Sequence, residues 1–325
     1  MSVTAAPAAP AAAAKHAMLL GALGVLAFSM TLPSTRVADP AFGGWTVAFG
    51  RALPAALLAL LVLSAKRQPL LPPKEARAGL VQVAATVVVG FPLLTSLALQ
   101  SVNSAHGAVV TGLIPAATAG FGVLLAGERP RRSYWIAMAV GLVGIVSLPV
   151  IQGAGRFQAG DLLLILAVAV VGFGYARGGV MARTYGGWRV ICWALVLSLP
   201  VTVPLTALTV ALRPPHHITA GAAVSMTYLG LVSMCLGFFF WYEGLARGGV
   251  ARVGRLQLAQ PVLTLGWSAL LLGEHLDAVT LVAAVVVLGA VAVGRNARQT
   301  PVPAAEPVLP PSPAADEESG AVRHA

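Results

Sequence analysis

Charged residues are scarce in this chain. Asp, Glu, Lys and Arg together make up 10% of the 325 residues, whereas apolar residues make up 58%. A soluble domain carries roughly 25% charged residues because its surface has to be hydrated. This composition excludes a pair of soluble domains, and the mean hydropathy of +0.84 indicates that lipid is the solvent.

Cysteine is nearly absent as well. Cys192 and Cys235 both lie inside apolar stretches, so the sequence predicts neither a disulfide framework nor a metal site, and we expect no cofactor. The net charge of +10 does not predict nucleic-acid binding, because the basic residues form short clusters between apolar runs and no continuous stripe. The bilayer is the expected partner.

Ten apolar runs are long enough to cross a membrane, which takes about twenty apolar residues per helix. They predict an all-α polytopic membrane protein. The runs cover residues 16–35, 42–64, 79–100, 105–127, 134–152, 161–182, 189–212, 220–246, 250–273 and 276–295, and we number them spans 1 to 10.

Loop charge predicts the orientation of these spans. With the N-terminus placed inside, seventeen of the 21 basic residues fall at inner helix ends or in inner loops, and Arg51 lies within span 2. Only Arg36, Arg156 and Arg213 fall outside. Because basic residues are enriched on the cytoplasmic side, we expect both termini to be cytoplasmic, in a bacterial cytoplasmic (inner) membrane.

A sequence repeat divides the ten spans into two halves. Pro115 precedes Gly127-Glu128 by the same spacing with which Pro261 precedes Gly273-Glu274, at a constant offset of 146 residues. Five spans per half are an odd number, so the second half must be inverted in the membrane. We expect two inverted five-helix repeats, residues 16–152 and 157–295, between disordered tails at 1–15 and 296–325.

The chain resembles the EamA-type ten-helix branch of the drug/metabolite transporter superfamily over about residues 16–295. The resemblance rests on Phe28-Ser-Met-Thr-Leu-Pro33 with Arg36, on Arg51, on Pro115 with Leu124-Leu125-Ala-Gly-Glu128, on Gly160-Asp161-Leu-Leu, and on Pro261 with Leu270-Leu271-Leu-Gly-Glu274. It implies a central cavity lined mainly by spans 1, 3, 4, 6, 8 and 9. It also implies a small metabolite as cargo, such as an amino acid or an amino-acid derivative, often moved outward.

Arg51 is the strongest candidate for substrate binding, because a charge at mid-depth must face protein or water and have a partner. Gln257 and Gln260 share one helical face beside Pro261, and we expect Pro115 and Pro261 to be hinges. Further residues are predicted to line the cavity: Ser29, Thr31, Phe91, Thr95, Thr111, Tyr175, Tyr228, Phe239 and Arg255. For each hydroxyl or aromatic residue, ordinary helix bonding or packing is the alternative.

The acidic residues are expected near the span ends. We predict that Glu243 pairs with Arg247 four residues later, that Glu274 holds a repeat end and that Asp161 is a helix N-cap. Trp241 and Tyr242 are expected in an interfacial aromatic belt. Without an acidic residue at the midplane, we do not expect proton coupling through a buried carboxylate.

The sequence favours a secondary transporter that exports its solute by alternating access around a midplane cavity, since two inverted halves can exchange conformations. An intramembrane enzyme is the first alternative, but it needs a nucleophile, a metal cluster or a pair of acids at depth. A non-transporting sensor is the second, and a homodimer is left open.

Overall fold

The computed structural model describes residues 11–126, 158–248 and 253–296, together with the isolated helical residues 136, 139 and 143. Apart from those three residues, predicted span 5 at 134–152 lies outside this part of the chain, as do residues 1–10 and nearly all of the predicted C-terminal tail. A helix begins at Ala11. Residues 11–15, which were predicted to belong to a disordered tail, are therefore helical.

The described residues form helices joined by short turns, and nine of the ten predicted spans can be compared. Among the described residues, seven helices are long and apolar enough to cross a membrane. Spans 1 to 4 are Lys15–Phe42, Gly44–Ala65, Lys74–Ala98 and Ser104–Leu125, and spans 6 to 8 are Ala159–Tyr185, Gly187–Leu212 and Ala220–Gly248. Span 9 is the shorter apolar helix Leu256–Leu272, and span 10 is Ala278–Asn296.

Span 1 is longer than predicted. After a turn at Met30, the helix Thr31–Phe42 continues through residues that were expected to form a loop, and it stops at Gly43. Pro33 lies in the first turn of this segment, where a missing N–H costs little. Arg36 is therefore in a helix and not in an outer loop, and its guanidinium donates a hydrogen bond to the Leu99 carbonyl.

The glycine turns show the two-fold repetition in the backbone. Gly43 joins span 1 to span 2 with φ +76° and ψ 145°, and Gly186 joins span 6 to span 7 with φ +84° and ψ 143°. Positive φ is the conformation that glycine adopts without a steric penalty. Each turn also accepts a helix hydrogen bond, from Val47 to Gly43 and from Val190 to Gly186.

Helix irregularities repeat at the offset found in the sequence. Span 3 contains the π-helical segment Ala84–Gly90. Span 8 contains the π-helical segment Tyr228–Leu236, which includes every residue that lies 146 positions after the segment in span 3. Span 4 is interrupted between Thr111 and Ile114. Span 9 begins with the 3-10 turn Gly254–Leu258, so that both breaks lie just before the prolines of the repeat.

The bundle has two ends, which we name after an acidic residue at each. The Glu274 end contains Gly43, Ser104 and Asp161, because Glu274 binds the backbone of Ser104 and Asp161 bonds His106. The Glu243 end contains Gly186, since Glu243 accepts a hydrogen bond from Gly187. Equivalent glycine turns therefore lie at opposite ends of the bundle, which is the geometry of inverted repeats. The fold is thus an all-α polytopic membrane protein built from two inverted five-helix repeats.

Candidate functional site

A small cavity lined by apolar residues and a few polar ones lies about half-way along the spans, between the two halves. Its free volume is about 20 Å³, enough for about one water molecule. A solute site of ordinary size needs roughly 300 Å³ or more, so the walls have to separate before a metabolite enters. The wall consists of Phe28, Thr31, Leu32, Arg51, Val87, Phe91, Pro92, Thr111, Tyr175, Ser233, Met234, Phe238 and Gln260.

Arg51 is the charged side chain among the described residues of this wall. It sits at the junction of helices Gly44–Gly50 and Ala52–Ala65 and is 1% exposed. Its Nε has no hydrogen-bond partner among the described residues. The π-helical segment of span 8 packs closely here, because a Cβ on Gly230 would lie 2.8 Å from the Arg51 carbonyl oxygen. A buried guanidinium of this kind can bind an anionic group of a solute that enters the cavity.

Gln257 lies in the 3-10 turn at the start of span 9, and Gln260 lies in the first turn of the α-helix that follows. Gln260 lines the cavity, and its Oε1 has no hydrogen-bond partner among the described residues. Gln257 is 2% exposed, with its Nε2 likewise unpartnered there, but it does not reach the wall. Pro261 has no N–H to donate to the carbonyl of Gln257, and Pro115 has none for Thr111, so both prolines loosen the helix beside the cavity.

Six of the predicted cavity residues form part of its wall, and five do not. On the wall are Arg51, Gln260, Thr31, Phe91, Thr111 and Tyr175. Away from it are Gln257, Ser29, Thr95, Tyr228 and Phe239. The twelfth predicted residue is Arg255, whose side chain lies outside the described part of the chain.

The residues away from the wall bond their own helix or a neighbouring helix, or pack against the hydrophobic core. Ser29 accepts a hydrogen bond from Trp267 Nε1 at 3.0 Å, and Thr95 donates to the Phe91 carbonyl at 2.8 Å. Tyr228 donates to the Ala27 carbonyl at 2.9 Å. Phe239 is half-buried against the core. The helix-bonding and packing alternatives therefore describe these four residues.

Sequence reasoning did not select seven wall residues: Phe28, Leu32, Val87, Pro92, Ser233, Met234 and Phe238. The repeat contained a signal for four of them. At the offset of 146, Val87 corresponds to Ser233 and Pro92 to Phe238, and all four line the cavity. Extending the repeat from the Gly-Glu motifs into spans 3 and 8 would have identified these positions.

Hydrogen bonds close the Glu274 end. Ser268 Oγ donates to Ser104 Oγ at 3.0 Å, and Thr264 Oγ1 donates to the Ser29 carbonyl at 2.7 Å. Glu274 accepts from two backbone N–H groups of span 4, which confirms that it holds a repeat end. Asp161 is not an N-cap as predicted: Gln158 is, and Asp161 completes its capping box while bonding His106 at 2.6 Å.

Aromatic rings close the Glu243 end. Phe28 and Phe238 lie with centroids 4.7 Å apart, and Tyr175 and Trp241 with centroids 5.9 Å apart. Trp241 and Tyr242 are 0% exposed, so the prediction of an interfacial belt was wrong: both rings point into the bundle. The predicted ion pair is confirmed, with Arg247 Nε 2.6 Å from Glu243 Oε1.

A larger groove of about 560 Å³ lies between spans 2, 3 and 7. Its wall is mainly apolar and includes Leu212 and Trp45, which are 77% and 50% exposed. It lies between helices of both halves but opens on the outer surface of the bundle, where these side chains are exposed, and we assign it to contact with lipid.

Comparison with known proteins agrees with this architecture. A family model described as "EamA-like transporter family" matches residues 15–148 and 158–294. An uncharacterized transporter, YdeK of Bacillus subtilis, is 44% identical over 280 residues, which cover 85% of this chain and 96% of the relative. A solved crystal structure shares the fold, with a TM-score of 0.60 and 21% identity over 86% of this chain and 96% of the other.

Two further relatives carry more specific names. A probable amino-acid metabolite efflux pump of Salmonella typhimurium is 26% identical over 53% of this chain and 60% of its own length. A probable terminal-alkyne amino-acid exporter of Streptantibioticus cattleyicolor is 31% identical over 46% of this chain and 54% of its own length. The family model and the long relative both cover most of the chain, and the chain belongs to the EamA-like transporter family.

Proposed function

We propose that this transporter exports an amino acid, or a solute derived from one, across the bacterial cytoplasmic membrane. The single observation that carries the proposal is Arg51: a buried guanidinium with an unpartnered Nε on the wall of a cavity between two inverted halves. A carboxylate is the group that best satisfies such a cation, since arginine and carboxylate form charge-assisted hydrogen bonds.

The remaining polar groups of the cavity favour a solute with both charges. Thr31 and Ser233 bond each other across the cavity at 2.8 Å, so their hydroxyls are already satisfied. Gln260 Oε1 has no such partner among the described residues, and an acceptor oxygen suits an ammonium group. An α-amino acid carries a carboxylate and an ammonium group, and two relatives are named for amino-acid efflux or export.

We propose alternating access as the mechanism, with the Glu243 end facing the cytoplasm and both termini on that side. The basic residues support this orientation, since Lys66, Lys74, Arg183 and Arg247 all lie towards the Glu243 end of their spans, as the positive-inside rule requires. The cavity is closed towards both ends, by rings on one side and by hydrogen bonds on the other. Opening each closure in turn, with Pro115 and Pro261 as hinges, would expose the cavity to one compartment at a time.

The proposal is tested by flux from proteoliposomes that contain the purified full chain and a panel of radiolabelled amino acids. Arg51→Gln should reduce export of the best substrate about 100-fold, because it removes a charge-assisted bond worth roughly 1.5–3 kcal/mol. Arg51→Lys should restore part of the flux. Arg213→Gln is the matched control, since Arg213 is exposed outside the cavity.

If Arg51→Gln and Arg213→Gln both export as fast as the unaltered protein, the cavity around Arg51 is not the substrate site. A protein that transports no member of the panel but does transport a cation would overturn the substrate class.

A further inference from the structure

Spans 4 and 9 are equivalent in the two repeats but present different positions to the cavity. Thr111 of span 4 lines the wall, and its equivalent 146 residues later, Gln257, does not. Gln260 of span 9 lines the wall, and its equivalent, Ile114, does not. The two residues away from the wall are buried, with Gln257 2% and Ile114 1% exposed. The repeats therefore differ at this point by about one helical turn.

The alignment of the repeats holds at the level of the cavity. Val87 and Pro92 of span 3 line the wall, and so do their equivalents in span 8, Ser233 and Phe238. The difference between spans 4 and 9 therefore comes from their local conformation and not from a shifted alignment.

The backbone of the two spans differs at the same place. In span 4 the α-helix Ser104–Thr111 ends before a short break, and a second α-helix begins at Ile114. In span 9 the segment Gly254–Leu258 is a 3-10 turn, and the α-helix begins at Ala259. A 3-10 turn winds about 120° per residue and an α-helix about 100°. A change from one to the other turns a side chain by about 60° over three residues.

Proline makes both sites easy to rewind. Pro115 cannot donate a hydrogen bond to the Thr111 carbonyl, and Pro261 cannot donate one to the Gln257 carbonyl. The bond that keeps an ordinary α-helix in register is absent at both sites, so the local winding changes at a lower cost than elsewhere in the spans.

We propose that spans 4 and 9 exchange these conformations during transport, and that Gln257 is a substrate-binding residue of the opposite state. The proposal rests on the alternating access of the proposed function, because inverted repeats reach their second state when each half adopts the conformation of the other. Thr111 and Gln260 face the cavity in the state described above. In the opposite state Gln257 takes the place of Gln260, and Ile114 takes the place of Thr111.

The amide of Gln257 supports this role. Its Nε2 is buried and has no hydrogen-bond partner in the part of the chain that the structure describes, and an unpartnered buried donor destabilises the state that contains it. An amide carries two donors and an acceptor. Turned towards the cavity, Gln257 can therefore take over the contact of Gln260 with the solute, while Arg51 serves both states.

The exchange also moves the polar part of the cavity across the membrane. Span 4 starts at the Glu274 end and span 9 finishes there, so Thr111 and Gln260 lie closer to that end than Ile114 and Gln257 do. Three residues of an α-helix span about 4.5 Å. A solute that follows the amides is carried about one turn towards the Glu243 end.

Cysteine labelling tests the exchange without a substrate. Single cysteines are placed in the full chain with Cys192→Ala and Cys235→Ala, and the protein is reconstituted in one orientation. A small membrane-impermeant methanethiosulfonate is then added either outside or in the lumen of the vesicles. The four variants are Thr111→Cys, Gln260→Cys, Ile114→Cys and Gln257→Cys.

We expect the variants to fall into two pairs. Thr111→Cys and Gln260→Cys should react from one face, and Ile114→Cys and Gln257→Cys from the other. The ratio of the outside rate to the lumen rate should differ at least tenfold between the pairs. Val110→Cys is the matched control: Val110 is 0% exposed and does not line the wall, so it should react from neither face. A single symmetric peak on size exclusion shows that each variant is folded.

The proposal is overturned if Gln257→Cys reacts from neither face, or reacts with the same ratio of rates as Gln260→Cys. If Gln257→Cys does not fold, Ile114→Cys decides the question, because the same exchange brings Ile114 to the cavity. Labelling of Ile114→Cys from neither face would then overturn the proposal.

Flux of the best substrate in proteoliposomes gives a second measurement. Gln257→Leu should raise the half-saturating concentration about tenfold on the face from which Gln257→Cys reacts, and less than twofold on the other face. Gln260→Leu should do the reverse. Equal changes on both faces would show that Gln257 has a structural role only.

The two measurements separate this proposal from the proposed function. Labelling in two pairs without transport of any amino acid would remove the proposed substrate and leave the exchange in place. Export that depends on Arg51, together with equal labelling ratios in all four variants, would remove the exchange and leave the substrate in place.

Discussion

The two ends of the helix bundle are closed by different forces. At the Glu243 end, Phe28, Tyr175, Phe238 and Trp241 pack ring against ring. At the Glu274 end, serine, threonine and carboxylate groups form directional hydrogen bonds between the repeats. Ring packing depends on contact area and tolerates small shifts, whereas a hydrogen bond weakens steeply when its geometry or its acceptor changes.

This difference gives the two ends different tolerances, even though the backbone repeats. Packed rings can shift slightly and keep most of their contact area. The hydrogen bonds of Ser268 and Glu274 to span 4 are lost once spans 4 and 9 separate. Inversion therefore supplies two similar scaffolds, and the side chains close them in different ways.

The largest expected effect would come from removing a ring at the Glu243 end. Trp241→Ala leaves a cavity in a fully buried cluster and should lower the free energy of unfolding by about 3 kcal/mol, at the low end of the range for buried aromatics, because lipid supplies less driving force than water. Thermal unfolding in detergent measures it. Trp45→Ala, at a 50% exposed position, should change stability little. Equal losses in the two variants would show that the cluster does not hold this end together.

A hydroxyl at the Glu274 end should matter less. Ser268→Ala removes one buried hydroxyl bond between spans 9 and 4, and such bonds within membranes average about 0.6 kcal/mol. The same unfolding assay checks stability. A loss of stability as large as that in Trp241→Ala would contradict the distinction between the two ends.

The smallest effect is expected for the exposed ion pair. Arg247 and Glu243 are four residues apart on one helix, with Arg247 55% exposed, and such pairs contribute roughly 0.3–0.5 kcal/mol. Arg247→Ala should therefore shift the unfolding temperature by about 1 °C or less. A larger shift would indicate that charge, as well as ring packing, closes the Glu243 end.

The candidate site was predicted only in part. Arg51 and Gln260 were found because placing a charged or amide side chain at mid-depth in the membrane costs free energy unless the side chain has a partner. The depth of such a residue in an apolar run can be seen in the sequence alone. Ser29 and Thr95 are also polar residues at depth, but their hydroxyls bond carbonyls of their own helix. The residue type alone does not show whether a hydroxyl lines the cavity or bonds its own helix. Trp241 was assigned to the interface from its distance along the span, which says nothing about which way its ring points.

The sequence by itself determined the membrane setting, the approximate positions of the nine spans that can be compared, and the inverted repeat. These follow from hydropathy, loop charge and spacing, which are local or periodic properties of the chain. Only the tertiary structure decided which helices meet at each end, how little space the cavity has, and that His106 bonds Asp161 and Glu274 bonds Ser104. Those partners lie 55 and 170 residues apart, and contacts between distant residues depend on how whole helices pack.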